Sequence, residues 1–227
     1  MQTARGGLVV VTVLIAGLLA AGYTAYAGAG VYQSLESGRQ ELVAAQASMK
    51  AAAHSADAGP LSAAAAHLKQ AELHFHDADR RSRDDPALRL LGGVPAAGQQ
   101  IDAGAHLAAI GADMSRAGQA ATAVAIQVAA LKQKYAGRPL TVDDLQAALE
   151  EAQTVARTYS ASTLAIGEQL RAAHAEREQV TTTALVPPLR DAYDQVDRAL
   201  AEADNAFLRY QDVRQVLSDF LGVRLPA

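Results

Sequence analysis

The residues of this chain that could bind a metal ion are concentrated in one predicted helix. They are His67, His74, His76, Asp77 and Asp79. Imidazole and carboxylate groups are common ligands of divalent cations, and His67 and His74, seven residues apart, share a helix face. Successive residues on a helix turn by about 100°, so His76 points about 200° away from His74 and the two cannot chelate one ion. We therefore interpret the histidines as solvated residues beside a buried Phe75 and predict no metal site.

A second candidate is a phosphate-binding loop in the stretch LRLLGGVPAAGQQI, residues 88–101. Gly93 and Gly98 have the G-x-x-x-x-G spacing of such a loop. Gln99 and Gln100 follow, where the loop needs a lysine and then a serine or threonine to hold a triphosphate and its Mg²⁺. No predicted strand precedes the glycines. We predict no phosphate site here.

The same stretch is predicted to be a corner between two helices. The segment DPALRLLGG is typical of a short helix that ends at glycine. Val94 should be extended because the residue before a proline avoids the α region. A new helix should then begin near Ala96.

Pairs of adjacent carboxylates are the remaining candidates for acid–base chemistry. They are Asp84/Asp85, Asp143/Asp144 and Glu150/Glu151. Adjacent side chains diverge by about 100° on a helix, so none of these pairs forms a catalytic dyad. The first two pairs lie at predicted helix starts, where negative charge stabilises the helix dipole. His54, His106 and His174 are isolated in the sequence, and no Gly-x-Ser-x-Gly elbow occurs. We predict that the protein is not an enzyme and binds no cofactor.

The composition favours closely packed helices. The chain has 227 residues, 4% aromatic residues, no cysteine and a formal net charge of −4. Alanine is the commonest residue, which favours helix formation and close helix approach. The absence of cysteine excludes disulfides and thiolate chemistry. The densest basic group, Arg80, Arg81 and Arg83, is surrounded by aspartates, so we predict that the protein does not bind nucleic acid.

The N-terminal region contains the strongest single signal. No charged residue occurs between Arg5 and Glu36, and the most apolar part runs from Leu8 to Tyr26. A helix of that length spans about 28 Å, close to the hydrocarbon thickness of a bilayer. We predict a transmembrane helix over residues 8–30, preceded by a short cytoplasmic tail over residues 1–7.

Topology and processing follow from the residues around this segment. Arg5 and the amino terminus favour a cytoplasmic N-terminus in the cell membrane, with residues 31–227 outside the cytoplasm. An interfacial aromatic belt would account for Tyr23, Tyr26 and Tyr32. One alternative is a signal peptide cleaved near Ala27, because the residues AYA at 25–27 suit signal peptidase. Another is a buried helix of a cytosolic protein. Small residues four positions apart would allow two membrane helices to self-associate.

Beyond residue 30, apolar residues recur at alternating steps of three and four. This spacing is typical of coiled-coil packing, and no stretch alternates with period two, so we expect an all-α fold. Gly59 is a C-cap candidate, and the prolines that follow predicted breaks also end helices. Because the connections are short, the helices should fold back as antiparallel neighbours into an elongated bundle. The predicted ranges are 31–57, 61–83, 97–135, 142–185 and 188–221.

Each predicted helix carries one apolar stripe. In the second helix the stripe consists of Leu61, Ala64, Leu68, Ala71, Phe75 and Ala78. In the helix over 97–135 it consists of Ala103, Leu107, Ile110, Met114, Ala117, Ala121, Val124, Val128, Leu131 and Tyr135. Thr141 with Asp144 resembles a capping box at the start of the next helix.

The corner and its flanking helices resemble the N-terminal helical region of a family of bacterial membrane-anchored envelope proteins of unknown function. The matching residues are Leu68, Ala71, Phe75, Ala78, Leu88, Val94, Pro95, Gly98 and Gln100. The distinctive element is the "VPxxGxQ" corner between a short helix and a long one. Members of that family usually continue past a Leu-Gly pair into a larger mixed domain, whereas this chain has Leu221-Gly222 and ends at Ala227. The resemblance implies no catalytic residues.

These observations predict a single-pass, outward-facing helical scaffold or interaction protein of the bacterial cell envelope. The membrane and other envelope proteins would be its partners. A ligand-binding bundle of the sensory type is one alternative. A secreted helical protein, released by signal cleavage, is the other.

Overall fold

The computed structural model describes residues 28–52, 58–135 and 141–221, and these ranges contain helices and no strands. Helix α1 covers residues 28–52 of the described chain. The other helices are α2 (Gly59–Asp84), α3 (Pro86–Gly92), α4 (Pro95–Tyr135), α5 (Val142–Gln179) and α6 (Pro187–Leu221). The prediction of an all-α helical bundle is confirmed for these ranges.

Helix α4 lies at the centre of the bundle because it contributes to three hydrophobic cores of the described residues, one of them around Ala103. The other two join it to different pairs of helices. One core joins α4 to α5 and α6 and contains Leu107, Ile110, Ala117, Ile166, Leu170, Ala173 and Leu200. The other joins α4 to α1 and α2, where Leu35 and Leu42 pack against Ala71, Phe75 and Ala112. Buried residues such as Gly104, Ala105, Ala108 and Ala112 lie outside the predicted stripe of α4. The single stripe was therefore an incomplete prediction, since small residues on a second face also pack closely against neighbouring helices.

The α1–α2–α4 core is built around the ring of Phe75, which lies between two glycines. A Cβ atom at Gly38 of α1 would lie 2.8 Å from the Cε1 and Cζ atoms of the ring. A Cβ atom at Gly111 of α4 would lie 2.7 Å from its Cδ1 and Cε1 atoms. Real Cβ atoms do not approach other atoms so closely, so the two glycines are what lets three helices meet at one aromatic ring.

Local capping residues explain where the middle helices begin. The Asp85 side chain accepts hydrogen bonds from the backbone N–H groups of Ala87 and Leu88, at 2.9 and 3.3 Å, and so caps α3. Thr141 and Asp144 form the predicted capping box at the start of α5. These bonds satisfy N–H groups that have no partner within the helix. The interpretation as helix-start charges is confirmed for Asp85 and Asp144, whereas Asp84 is the last residue of α2.

Among α2 to α6, three predicted helix boundaries differ from the structure by more than one residue. Gly59 is the first residue of α2 and not the C-cap of the preceding helix, because Pro60 fits the first turn, where no N–H partner is needed. Helix α4 begins at Pro95 for the same reason. Helix α5 ends at Gln179, six residues before the predicted end at 185, and Val180 is extended with a ψ of 113°. Leaving the helix there lets Val180 and Leu185 pack against Ala103.

Several predictions concern residues outside the described ranges. They are the tail over 1–7, most of the transmembrane helix over 8–30, the cleavage site at 25–27 and the end of the first helix at 53–57. Among the helices that are described, none has the length and apolar character needed to cross a membrane.

Candidate functional site

The predicted histidine and aspartate group on α2 is divided among different partners. His67 Nδ1 lies 2.6 Å from Glu41 Oε2 on α1, whereas His76 Nε2 lies 3.2 Å from Arg116 Nη2 on α4. Phe75 between them is buried, as predicted. No group of three or more His, Asp or Glu side chains within the described part of the chain could hold a metal ion.

The two aspartates of that group pair with the neighbouring arginines. Asp77 accepts hydrogen bonds from Arg80 at 2.8 Å and from Arg81 Nε at 2.6 Å, and Asp79 accepts one from Arg83 Nε at 2.6 Å. All three arginines of the basic cluster therefore have a carboxylate partner about one turn away. This pairing reduces the positive charge that a phosphate backbone would meet.

Asp77 also connects α2 to α1. The Ser34 hydroxyl donates to Asp77 Oδ2 at 2.9 Å. Burial tends to raise the pKa of Asp77, but the hydrogen bonds from Arg81, Ser34 and Arg80 outweigh it and lower that pKa below the ordinary 3.8. The carboxylate is thus held in its charged form at a contact between the first two helices.

A seam of polar side chains connects α2, α4 and α5 along one side of α4. At its centre Arg116 donates to Glu72 at 3.0 Å, to Asp113 at 3.0 Å and to Gln169 at 2.8 Å. Gln119 donates a further hydrogen bond to Glu72 at 2.9 Å. One guanidinium therefore bridges three helices, which suits its planar set of five donors.

Asp113 is the most buried carboxylate of the polar seam, with 7% of the residue exposed. Burial raises its pKa above the ordinary value of 3.8, and the charge of Glu176 acts in the same direction. Arg116 and His76 oppose this shift without cancelling it. Asp113 and Asp77 are therefore opposite cases, one dominated by burial and one by hydrogen bonding.

A polar cleft lies at the end of this seam, beside the α3–α4 corner. His106 Nδ1 lies 2.6 Å from Glu176 Oε2 on α5. The cleft has a volume of about 370 Å³, and its polar lining includes Gln99, Asp102, His106, Gln179 and Thr181. A neighbouring cleft of about 270 Å³ shares Asp102 and His106 and adds Arg83 and Arg89. Imidazole, carboxylate and guanidinium groups there could bind a small charged molecule, which makes the paired clefts a candidate site.

The "VPxxGxQ" corner is held in place by its glutamine. Gln100 Nε2 donates to the carbonyl oxygen of Ala184 at 2.8 Å, and its Oε1 accepts from the N–H of Val186 at 2.9 Å. Within the corner, a Cβ atom at Gly98 would lie 2.5 Å from the carbonyl oxygen of Gly92, so only glycine fits. Gly93 has a φ of −69° and needs no left-handed conformation. The predicted short helix and corner are confirmed as α3 and the turn before α4.

From the sequence alone, Gln99 was considered only as a residue that a phosphate loop would not have, and Gln100 also as part of the "VPxxGxQ" corner. His106 was interpreted as isolated, and neither Arg116 nor Glu176 was singled out. Apart from Asp113, three residues before Arg116, the partners of these side chains lie tens of residues away, so no local spacing indicates them. The glutamine of the corner was the one available signal, since it belongs to the distinctive pattern.

The described chain is thus an all-α bundle with a charged seam and a polar cleft beside one corner. Comparison with protein-family models, with curated proteins and with solved structures found no match for it.

Proposed function

We propose that this chain is a single-pass, membrane-anchored protein of the bacterial cell envelope whose helical bundle serves as a non-catalytic scaffold outside the cytoplasm. The bundle would position or bind other envelope proteins. One observation carries the proposal. Helix α1, whose described part begins two residues after the apolar stretch Leu8–Tyr26, is packed into the core of the bundle.

This arrangement suits a scaffold because a single residue, Ala27, separates the apolar stretch from the described part of α1, which is packed into the bundle. Gly38 and Phe75 interlock α1 with α2, and the hydrogen bond from Ser34 to Asp77 adds a polar contact nearer to residue 28. Between helices, many charged side chains form pairs, such as Glu72 with Arg116. Such pairs stabilise packing and orientation, which is what a spacer between envelope components requires.

Fractionation of producing cells tests the anchor. We expect the full-length mass in membranes washed at alkaline pH. The variant Leu14→Arg should move the protein to the soluble fraction, because an arginine in a membrane helix costs about 3 kcal/mol. Ala47→Arg, at an exposed position on α1, is the matched control and should leave the protein in the membrane. A wild-type product that starts near Gly28 and is soluble would show signal cleavage and refute the anchor.

Crosslinking tests the scaffold. With the anchored protein in intact cells, we expect reproducible crosslinks to a small set of envelope proteins. A chain that crosslinks to no envelope protein, although it is folded and anchored, would contradict the proposed role.

The polar clefts favour a second candidate function, a ligand-binding module of the sensory type. Their lining of His106, Asp102 and Arg83 would suit a small zwitterion or carboxylate. A thermal-shift screen of amino acids and small carboxylates would detect such a ligand. A true hit should be lost in His106→Ala and retained in His74→Ala, which changes a half-buried histidine that does not line either cleft.

A further inference from the structure

Helix α1 runs antiparallel to α2, and this fixes which end of the bundle holds residue 28. Gly30 lies beside Arg81, where a Cβ atom would be 3.3 Å from the guanidinium. Ser34 contacts Asp77, one turn earlier on α2. Residue 28 is therefore level with the last turn of α2, which leads directly into α3.

Two connections of the bundle lie at the same end, the α3–α4 turn and the connection between α5 and α6. The α3–α4 corner follows α2, and Gln100 of α4 is hydrogen-bonded to Ala184 and Val186 in the connection between α5 and α6. We call this end the corner end. It comprises the start of α1, helix α3, the turn at 93–94 and the connection 180–186.

The corner end exposes large apolar side chains. Leu90 is 82% exposed, although Leu88 of the same short helix is buried. Val94 in the turn is 51% exposed and Val186 is 45% exposed. Tyr32, near the start of α1, is 62% exposed. Exposed apolar residues gathered on the connections at one end indicate a contact surface, since single ones scattered along helices need no explanation.

The length of chain between the apolar stretch and the bundle limits how far this surface can be from a membrane. Two residue steps separate Tyr26 from Gly28, and they span at most about 7 Å even when fully extended. If residues 8–26 lie in a bilayer, the start of α1 is therefore at the bilayer surface. The remainder of the corner end lies at a similar level along the bundle.

We infer that the corner end rests on the lipid bilayer, with the side chains of Leu90 and Val94 in the interfacial region and Val186 beside it. The inference depends on the proposed membrane anchor. Apolar side chains gain free energy on leaving water for this region, and tyrosines such as Tyr32 are enriched there. Arg89, exposed beside Leu90, supplies a cation for anionic headgroups.

A lipid partner explains the position of these residues better than a protein partner does. The corner end is the one part of the bundle that the short connection to residues 8–26 brings to the bilayer. The opposite end, where α4 meets α5, carries Val128 and Leu149 with comparable exposures of 46% and 49%. Helix α4 separates Val128 from Val94 by about 50 Å, so the two ends would meet different environments.

Site-directed fluorescence on the full-length chain tests this inference. The protein has no cysteine, so a single introduced cysteine can carry an environment-sensitive dye. The test positions are Leu90→Cys and Val94→Cys. The controls are Val128→Cys and Leu149→Cys, matched in exposure, and Leu14→Cys reports on the anchor. The protein is reconstituted in vesicles of equal parts phosphatidylcholine and phosphatidylglycerol, with or without lipids that carry a nitroxide near the headgroup. For the dye at 14, the nitroxide is instead placed midway along an acyl chain, at the depth expected for that residue.

We expect the nitroxide lipids to quench the dye severalfold more at 90 and 94 than at 128 and 149. No quenching at 90 and 94, with strong quenching at 14, would refute the lipid contact and leave the anchor intact. A dye at 90 that is shielded from water but not quenched would also refute it, because a second copy of the chain would then cover the surface. Equal quenching at both ends would refute it as well. An unquenched dye at 14 would instead refute the anchor.

Discussion

The ring of Phe75 occupies the space that a side chain at Gly38 would need. A Cβ atom there would lie 2.8 Å from the ring, and the second glycine, Gly111, meets the same ring from α4. This relationship holds α1 against the bundle. It therefore fixes the position of the first described helix relative to α2 and α4.

Alanine substitutions on α4 should distinguish close packing from helix propensity. Gly111→Ala should lower the free energy of unfolding by about 1–3 kcal/mol, because the new Cβ atom overlaps the ring of Phe75. Gly104→Ala is the matched control: Gly104 is buried on the same helix, but a Cβ atom there has no neighbour within 4 Å. It should raise stability by up to about 1 kcal/mol. Urea denaturation followed by circular dichroism would measure the free energy of unfolding of both variants. Equal changes in the two would contradict the close packing of Phe75 against Gly111.

Loss of the Gln100 side chain should loosen the connection between α5 and α6. Gln100→Ala removes two hydrogen bonds and should lower stability by about 1–2 kcal/mol. The backbone N–H of Val186 should then exchange with solvent faster, as measured by hydrogen–deuterium exchange. Gln99→Ala, which removes a single longer bond of 3.3 Å to Thr181, is the control and should change exchange at 186 little. Unchanged protection of Val186 in Gln100→Ala would contradict this role.

Replacement of Arg116 should weaken the contact among α2, α4 and α5. Arg116→Gln leaves Glu72 and Asp113 without their shared cation. We expect the free energy of unfolding to fall by about 1–2 kcal/mol, a modest decrease because the guanidinium is partly exposed to solvent. Arg171→Gln is the control, since Arg171 is exposed and donates to a carbonyl oxygen of its own helix. Chemical denaturation of both variants measures the difference. If the free energy of unfolding falls less in Arg116→Gln than in the control, the hydrogen bonds of Arg116 to Glu72, Asp113 and Gln169 do not stabilise the contact among the three helices.

Asparagine substitutions at Asp77 and Asp113 should change the free energy of unfolding in different ways near pH 7. The folded-state pKa of Asp77 is lowered, so its stabilising effect is present above the ordinary 3.8 and is lost as pH falls through the folded pKa. The folded-state pKa of Asp113 is raised, so its charged form destabilises the fold at neutral pH and this cost disappears in acid. Asp77→Asn should therefore be less stable than wild type, and Asp113→Asn equally or more stable.

Measurements of unfolding at several pH values between about 7 and 3 test this pair. Both differences from wild type should shrink as the carboxylates become protonated. A penalty for Asp113→Asn at neutral pH as large as that for Asp77→Asn would show that hydrogen bonding, and not burial, dominates at Asp113.

The predicted helices were largely correct because their signals are local. The stripe from Leu61 to Ala78, the Asp85 cap and the Thr141 capping box all depend on residues within a few positions of each other. The candidate site could not be predicted in the same way. His106 and Glu176 are seventy residues apart, and Gln100 contacts a loop more than eighty residues away. Nothing in the spacing of either residue indicates its partner.

The sequence by itself determined that the described chain is helical and, to within two residues, where α2, α4, α5 and α6 begin, because periodicity, caps and prolines act through bonds within one or two turns. Its apolar composition at residues 8–30 also predicts a transmembrane helix there, which stays a prediction. The tertiary structure decided that α4 is shared by three cores and that Phe75 meets Gly38 and Gly111. It also decided that the corner, the loop at 180–186 and residue 28 lie at one end. Those relationships depend on how whole helices pack, and small residues such as glycine and alanine show their role only when the facing helix is in place.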